Sequence, residues 1–224
     1  MGGKSARLAD VTSVLGLDGC RTGWIGALWA EGSTRWHYFA TFAAALDAAD
    51  VVAVDIPVGL PRSGPRACDL EARRRLPGRG SSVFPAPVRA VLAATDYREA
   101  CDLSREAQGK ALSKQAWAIV PKITEVDRLR DARRVLEVHP EVSFAAMTGR
   151  VLPRKASAAG AFARMQSLTE ALGPLPEDLP EQGALDDCLD ALACLWTGRR
   201  WVEGTAEVLG GDLDEVGQVM RIVV

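Results

Sequence analysis

The chain has 224 residues, a formal net charge of −2 and a mean hydropathy of +0.02. With 48% hydrophobic and 25% charged residues it has ordinary globular composition, which excludes a disordered polar chain and leaves enough apolar surface for a substantial core. No segment has an apolar run long enough to span a membrane, so a membrane partner is not expected.

The opening "MGGKSARLAD" is too polar for a signal peptide, and Ala6 breaks the myristoylation pattern. It is expected to be a flexible N-terminus, residues 1–10, ahead of one α/β domain over residues 11–224 in the cytoplasm. "VTSVLGLDG", "GWIGALWA" and "STRWHYFA" follow one another through tight turns and predict three antiparallel strands. "TFAAALDAA" predicts a helix with Thr41 as its cap. "VVAVDIPVGL" is a continuous β-branched run, expected as a central strand buried on both faces with Asp55 near its carboxyl end.

From Pro57 to about Arg130 the pattern loosens. Pro and Gly clusters at "PRSGP", "LPGRGSSVFPAP" and "VPKITEVD" are expected to break two or three helices, giving a helical and loop insertion over residues 57–130 carried above the sheet. "RRVLEVHPEVSF" resumes the strand pattern and sets Glu137 after Val135 and Leu136. "SAAGAFARMQSLTEAL" and Leu185–Trp196 have helical spacing, and "QVMRIVV" predicts a terminal strand whose edge offers a route to a symmetric homodimer. The five cysteines form no Cys-x-x-Cys pair and are odd in number, so reduced thiols are expected rather than a disulfide framework or zinc knuckle.

Charge is unevenly distributed. From Glu170 onward twelve acids face three bases, so the remainder is basic, and Arg62, Arg66, Arg73, Arg74, Arg75 and Arg79 cluster within "PRSGPRACDLEARRRLPGRG". Such a cluster suits phosphate, with a solvated helix face as the plain alternative. Lys122 and Lys155 are further candidate phosphate contacts.

Asp18 ends an apolar run, a costly place for a lone carboxylate, which needs a partner, a proton or a metal. If the first and fourth strands lie side by side, Asp18 and Asp55 meet at their carboxyl ends and repel unless a cation intervenes. Mg²⁺ or Mn²⁺ suits an all-oxygen donor set. In "LDDCLDALACLW", Asp187 and Asp190 are three apart on one helical face, with apolar residues on the other. Each acid also has a structural reading: Asp55 can cap a turn with Pro57, and acids early in a helix are favoured by its dipole.

"GLDGCRTGW", "VVAVDIPVGLP", "RRVLEVHPEVSF" and "DDCLDALACL" together resemble the DUF429 family, a predicted nuclease group with an RNase H-like (RuvC-like) fold; "SSVFPAP" and "PKITEVD" match it too. The resemblance implies a mixed five-stranded central sheet with flanking helices. It makes Asp18 the first-strand acid, Asp55 the fourth-strand acid, and Asp187 with Asp190 the closing-helix pair, all four expected as metal ligands. The fourth-strand position in RuvC-like resolvases is often Glu, so Asp55 reaches less far. Glu137 and Glu141 fall in the family's His-Pro-Glu motif.

The chemistry implied is metal-assisted phosphodiester hydrolysis, in which two divalent ions roughly 3.5–4 Å apart position and activate water and neutralise the leaving oxygen. Glu137 and His139 join the catalytic candidates, His139 as a proton shuttle or else a packed histidine. Arg21, Arg73, Arg79, Lys122 and Lys155 are the expected contacts to a DNA or RNA substrate. Two other functions fit the same pattern: an actin-like phosphotransferase acting on a small molecule, and a non-catalytic nucleic-acid-binding scaffold.

Overall fold

The computed structural model describes residues 11–129 and 134–224. The flexible N-terminus expected over residues 1–10 lies outside the described residues. Strands β1 (Ser13–Gly19), β2 (Trp24–Ala30) and β3 (Ser33–Phe39) form the expected antiparallel meander. Ala30 pairs with Ser33, so Glu31 and Gly32 alone make the second turn; their φ values of 52° and 77° are those of a tight hairpin whose twist matches the strands. Helix α1 (Phe42–Asp47) starts where Thr41 Oγ1 accepts the Ala44 N–H at 3.3 Å.

Strand β4 (Val51–Val54) runs parallel to β1, and β5 (Val135–Glu137) runs parallel to β4. The sheet order is β3-β2-β1-β4-β5, a mixed five-stranded sheet consistent with an RNase H-like layout. β4 is shorter than the apolar run suggested. Pro57 has no N–H to add to a ladder, and the Glu137 carboxylate takes the Val58 N–H at 2.6 Å, turning the chain away from the sheet.

Alternation along the strands decides what each face carries. Leu15, Leu17, Val52, Val54 and Val135 point to one side, into a core with Trp24, Phe42, Ile123 and Val126. Val14, Gly16 and Asp18, with Val51, Ala53 and Asp55, point to the other. Helix α7 (Leu185–Val202) covers that second face. It comes so close that a Cβ on Gly16 would stand 2.1 Å from both the Ala191 carbonyl oxygen and the Leu195 nitrogen. Gly16→Ala is therefore expected to cost about 3 kcal/mol, near the top of the usual overpacking range, because backbone cannot swing aside; urea unfolding measures it.

The segment between β4 and β5 holds α2 (Ala67–Arg74), two 3-10 turns at Gly80–Ser82 and Arg89–Ala93, α3 (Tyr97–Gln108) and α4 (Lys114–Arg128). Pro121 was expected at a helix break, yet α4 runs through it. Val120, Ile123 and Val126 are buried on both sides of the proline, and this packing holds the two halves in line. Helices α5 (Pro140–Thr148) and α6 (Ala158–Leu172) follow β5, and α6 is capped by Ser157.

The terminal strand β7 (Val219–Val223) is present but finds its partner within the chain. It pairs with β6 (Val208–Leu213), and Val223 bridges Val138 just past β5. The sequence reading left β6 out: "VLGGDL" lacks alternation, and the pairing shifts register between Gly210 and Asp212. Among the described residues, no helix is long and apolar enough to cross a membrane.

Candidate functional site

At the carboxyl ends of β1, β4 and β5, both faces of the sheet open onto a cavity of about 670 Å³. Asp18, Asp55 and Asp190 line it together. The β1–β4 ladder reaches one bond beyond the strand, with the Asp55 N–H donating to the Leu17 carbonyl at 3.1 Å, and this seats Asp55 beside Asp18. Asp18 Oδ1 accepts the Gly19 N–H at 2.7 Å. Asp190, on the second turn of α7, is almost wholly buried because the glycine contact draws that helix onto β1.

These acids resist ionisation. Burial, then Asp55 and Asp190, push Asp18 well above the usual carboxylate range. Burial and Asp190 push Asp55 well up, partly opposed by Lys155. Burial raises Asp190 to about 6 although Lys155 Nζ stands 2.7 Å from its Oδ2. Burial works against the charge on Lys155, but Asp190 and Asp186 outweigh it and keep the ammonium protonated. Asp190 Oδ1 is buried and has no hydrogen-bond partner.

Asp187 stands one turn earlier and has another task. Its Oδ2 accepts the Ala184 N–H at 2.9 Å, the reach-back bond of a helix start. Its charge is still felt by Asp18.

Glu137 shares the face of Val54 and Val135, away from Asp18 and Asp55, and both its oxygens are engaged. Arg66 grips it with Nη1 at 2.7 Å and Nη2 at 2.5 Å, and grips Asp69 with Nε at 3.2 Å and Nη2 at 2.6 Å. One guanidinium thus serves two buried carboxylates. Burial lifts Glu137 to about 7 against the pull of Arg66. The sequence leaves Arg66 between a phosphate contact and a solvated helix face; the structure buries it in this ion-pair network instead. The usable signal was its i,i+3 spacing from Asp69 within an otherwise apolar helix start.

His139 lines the cavity, and burial lowers its pKa. Its Nε2 faces the Ser82 carbonyl at 3.4 Å, so the proton belongs there; Nδ1 is left buried and without a partner, a bare acceptor. Glu141 accepts from buried Arg164 at 2.6 Å and lies 3.8 Å from Arg79.

Of the expected phosphate contacts, Arg21, Arg79, Lys122 and Lys155 line the cavity. Lys122 Nζ donates to the Gly23 carbonyl at 2.5 Å and sits 4.2 Å from the Trp24 ring centre, and its burial lowers its pKa. Arg73 is used differently: its Nε and Nη2 donate to the Val83 carbonyl at 3.0 and 2.9 Å and fasten the loop after α2.

Asp18, Asp55 and Asp190 present only carboxylate oxygens, repel one another, and include one buried oxygen without a donor. That donor chemistry suits a hard divalent cation. Among the described residues, no three His, Cys, Asp or Glu side chains already stand at the spacing that closes around an ion. Lys155 supplies the positive charge beside Asp190 instead.

Residues 16–215 match the family described as "Protein of unknown function (DUF429)". No curated protein and no solved structure matches the chain.

Proposed function

The chain belongs to the DUF429 family, and on that premise we propose that it is a divalent-metal-dependent nuclease that hydrolyses phosphodiester bonds. The observation that carries this reading is the convergence of Asp18, Asp55 and Asp190, from two parallel strands and a helix, on one cavity rimmed by cations. Asp18, Asp55 and Asp190 would hold Mg²⁺ or Mn²⁺, which when bound polarises the phosphate and lowers the pKa of water.

The remaining roles belong to the chain itself. Arg21 and Arg79 draw a phosphate to the mouth by charge. Lys155, which lines the cavity, offsets the repulsion among the acids. His139 borders the cavity as a packed, neutral imidazole, because burial disfavours its charged form and shuts Nδ1 away from water. The five cysteines are free and buried, which supports a cytoplasmic setting.

The test is a cleavage panel of single-stranded, duplex and branched DNA and RNA with Mg²⁺ or Mn²⁺, comparing the parent with Asp18→Asn and Asp55→Asn. The parent is expected to cut at least one substrate only when the ion is present, and both variants to fail. Equal activity in all three proteins rejects the site.

A further inference from the structure

The cavity is chemically divided. Its floor is acidic and its rim carries Arg21, Arg79, Lys122 and Lys155, while Ile56, Pro57, Val83, Phe84, Ala118 and Ile119 give it an apolar wall. Phe84 belongs to that lining yet is 54% exposed. A lone exposed aromatic elsewhere on a surface carries no meaning. This one sits on backbone fixed from both sides.

The Val83 carbonyl takes two bonds from Arg73, and the Val83 N–H donates to the Gly80 carbonyl at 3.2 Å. Two residues beyond the ring, the Ala86 N–H donates to the Asp69 carboxylate at 3.2 Å. Asp69 is itself clamped by Arg66. The loop is therefore held in place, and an apolar ring is presented ready-formed beside a cationic rim.

We propose that the cavity takes one nucleotide unit, as part of an unpaired strand or as a free nucleotide, with its base stacked on Phe84 and its phosphate toward the rim cations. The proposal rests on the nuclease reading only for the direction in which the phosphate points. The ligand must be anionic at one end and flat and apolar at the other, which is the chemistry of a nucleotide. At about 670 Å³ the cavity falls within the roughly 300–1,000 Å³ of pockets that enclose one small molecule. A base inside a duplex has both faces covered by its neighbours and cannot stack on a protein ring without leaving the helix.

The experiment measures fluorescence anisotropy of the full chain, in chelator, with a fluorescein-labelled short oligothymidylate and with a blunt duplex of the same length, using unlabelled thymidine monophosphate as competitor. The single strand is expected to bind about tenfold or more tightly than the duplex. Phe84→Ala is expected to weaken single-strand binding by about tenfold, and Phe84→Trp to preserve it. Competition by the mononucleotide assigns the unit to a free nucleotide, and its absence assigns it to a strand; both uphold the proposal. Equal binding of strand and duplex, an unchanged Phe84→Ala protein with the parent's melting temperature, or no binding of any probe overturns it. Stacking without cleavage under any divalent ion sinks the nuclease reading alone, and cleavage that ignores Phe84 sinks this proposal alone.

Discussion

Asp18→Asn is expected to make the protein more stable and inactive at once. The carboxylate is pushed up by burial and by Asp55 and Asp190, so the folded state resists an ionisation that the unfolded chain accepts freely. Below the ordinary carboxylate range both states are protonated and nothing is lost. As pH rises above it the unfolded state sheds its proton first, and folding stability falls. The amide keeps the oxygen that accepts the Gly19 N–H but carries no charge.

In chelator at neutral pH the variant should gain about 1 kcal/mol, typical of relieving a strained functional site. The gain should shrink as pH is lowered through the carboxylate range. Cleavage should drop on the order of 10³-fold or more, since the three acids act as a unit. Calorimetric melting over pH, run beside the cleavage assay, checks both halves. A variant that melts lower than the parent at neutral pH would show that Asp18 is a structural acid.

Arg66→Met is expected to have the largest effect on stability. Its guanidinium makes two bonds to Glu137, two to Asp69, and donates to the Val58 and Gly59 carbonyls, all with almost no exposure. The methionine fills much of the volume but leaves two buried carboxylates unpaired. Breaking a buried pair from one side costs about 3–5 kcal/mol, or a fall of roughly 10 °C in melting temperature for a chain of this size. The triple replacement Arg66→Met, Asp69→Leu and Glu137→Leu should recover most of that loss, because no charge then remains unpaired. If Arg66→Met alone melts within a degree or two of the parent, the network contributes little.

Much of the sheet was legible because its signals are local. The β1–β3 meander follows from alternation and tight turns, and β4 from an unbroken β-branched run. Adjacency of β1 and β4, and with it the meeting of Asp18 and Asp55, follows from strand order. Asp190 against Asp187 was not legible. Three residues apart, both share a helical face, and only the depth at which Gly16 admits α7 decides which one reaches the cavity. Glu137 and Arg66 were opaque for a related reason. A buried ion pair between residues 71 apart leaves no periodic trace, and its guanidinium reads like any surface arginine in a basic run. β6 escaped because glycines erase alternation.

The alternation of the pleat has a consequence for how this protein tolerates change. One thickness of main chain separates two different electrostatic regimes: on the α7 side Lys155 meets only Asp190 of the three cavity acids while Asp18 and Asp55 crowd beside it, whereas on the Arg66 side both buried carboxylates are held by one guanidinium. Loss of a negative group should therefore strengthen one layer and weaken the other, so a survey of neutralising substitutions across the sheet would sort by the face each side chain occupies, Asp18 and Asp55 against Glu137, rather than by distance from the cavity.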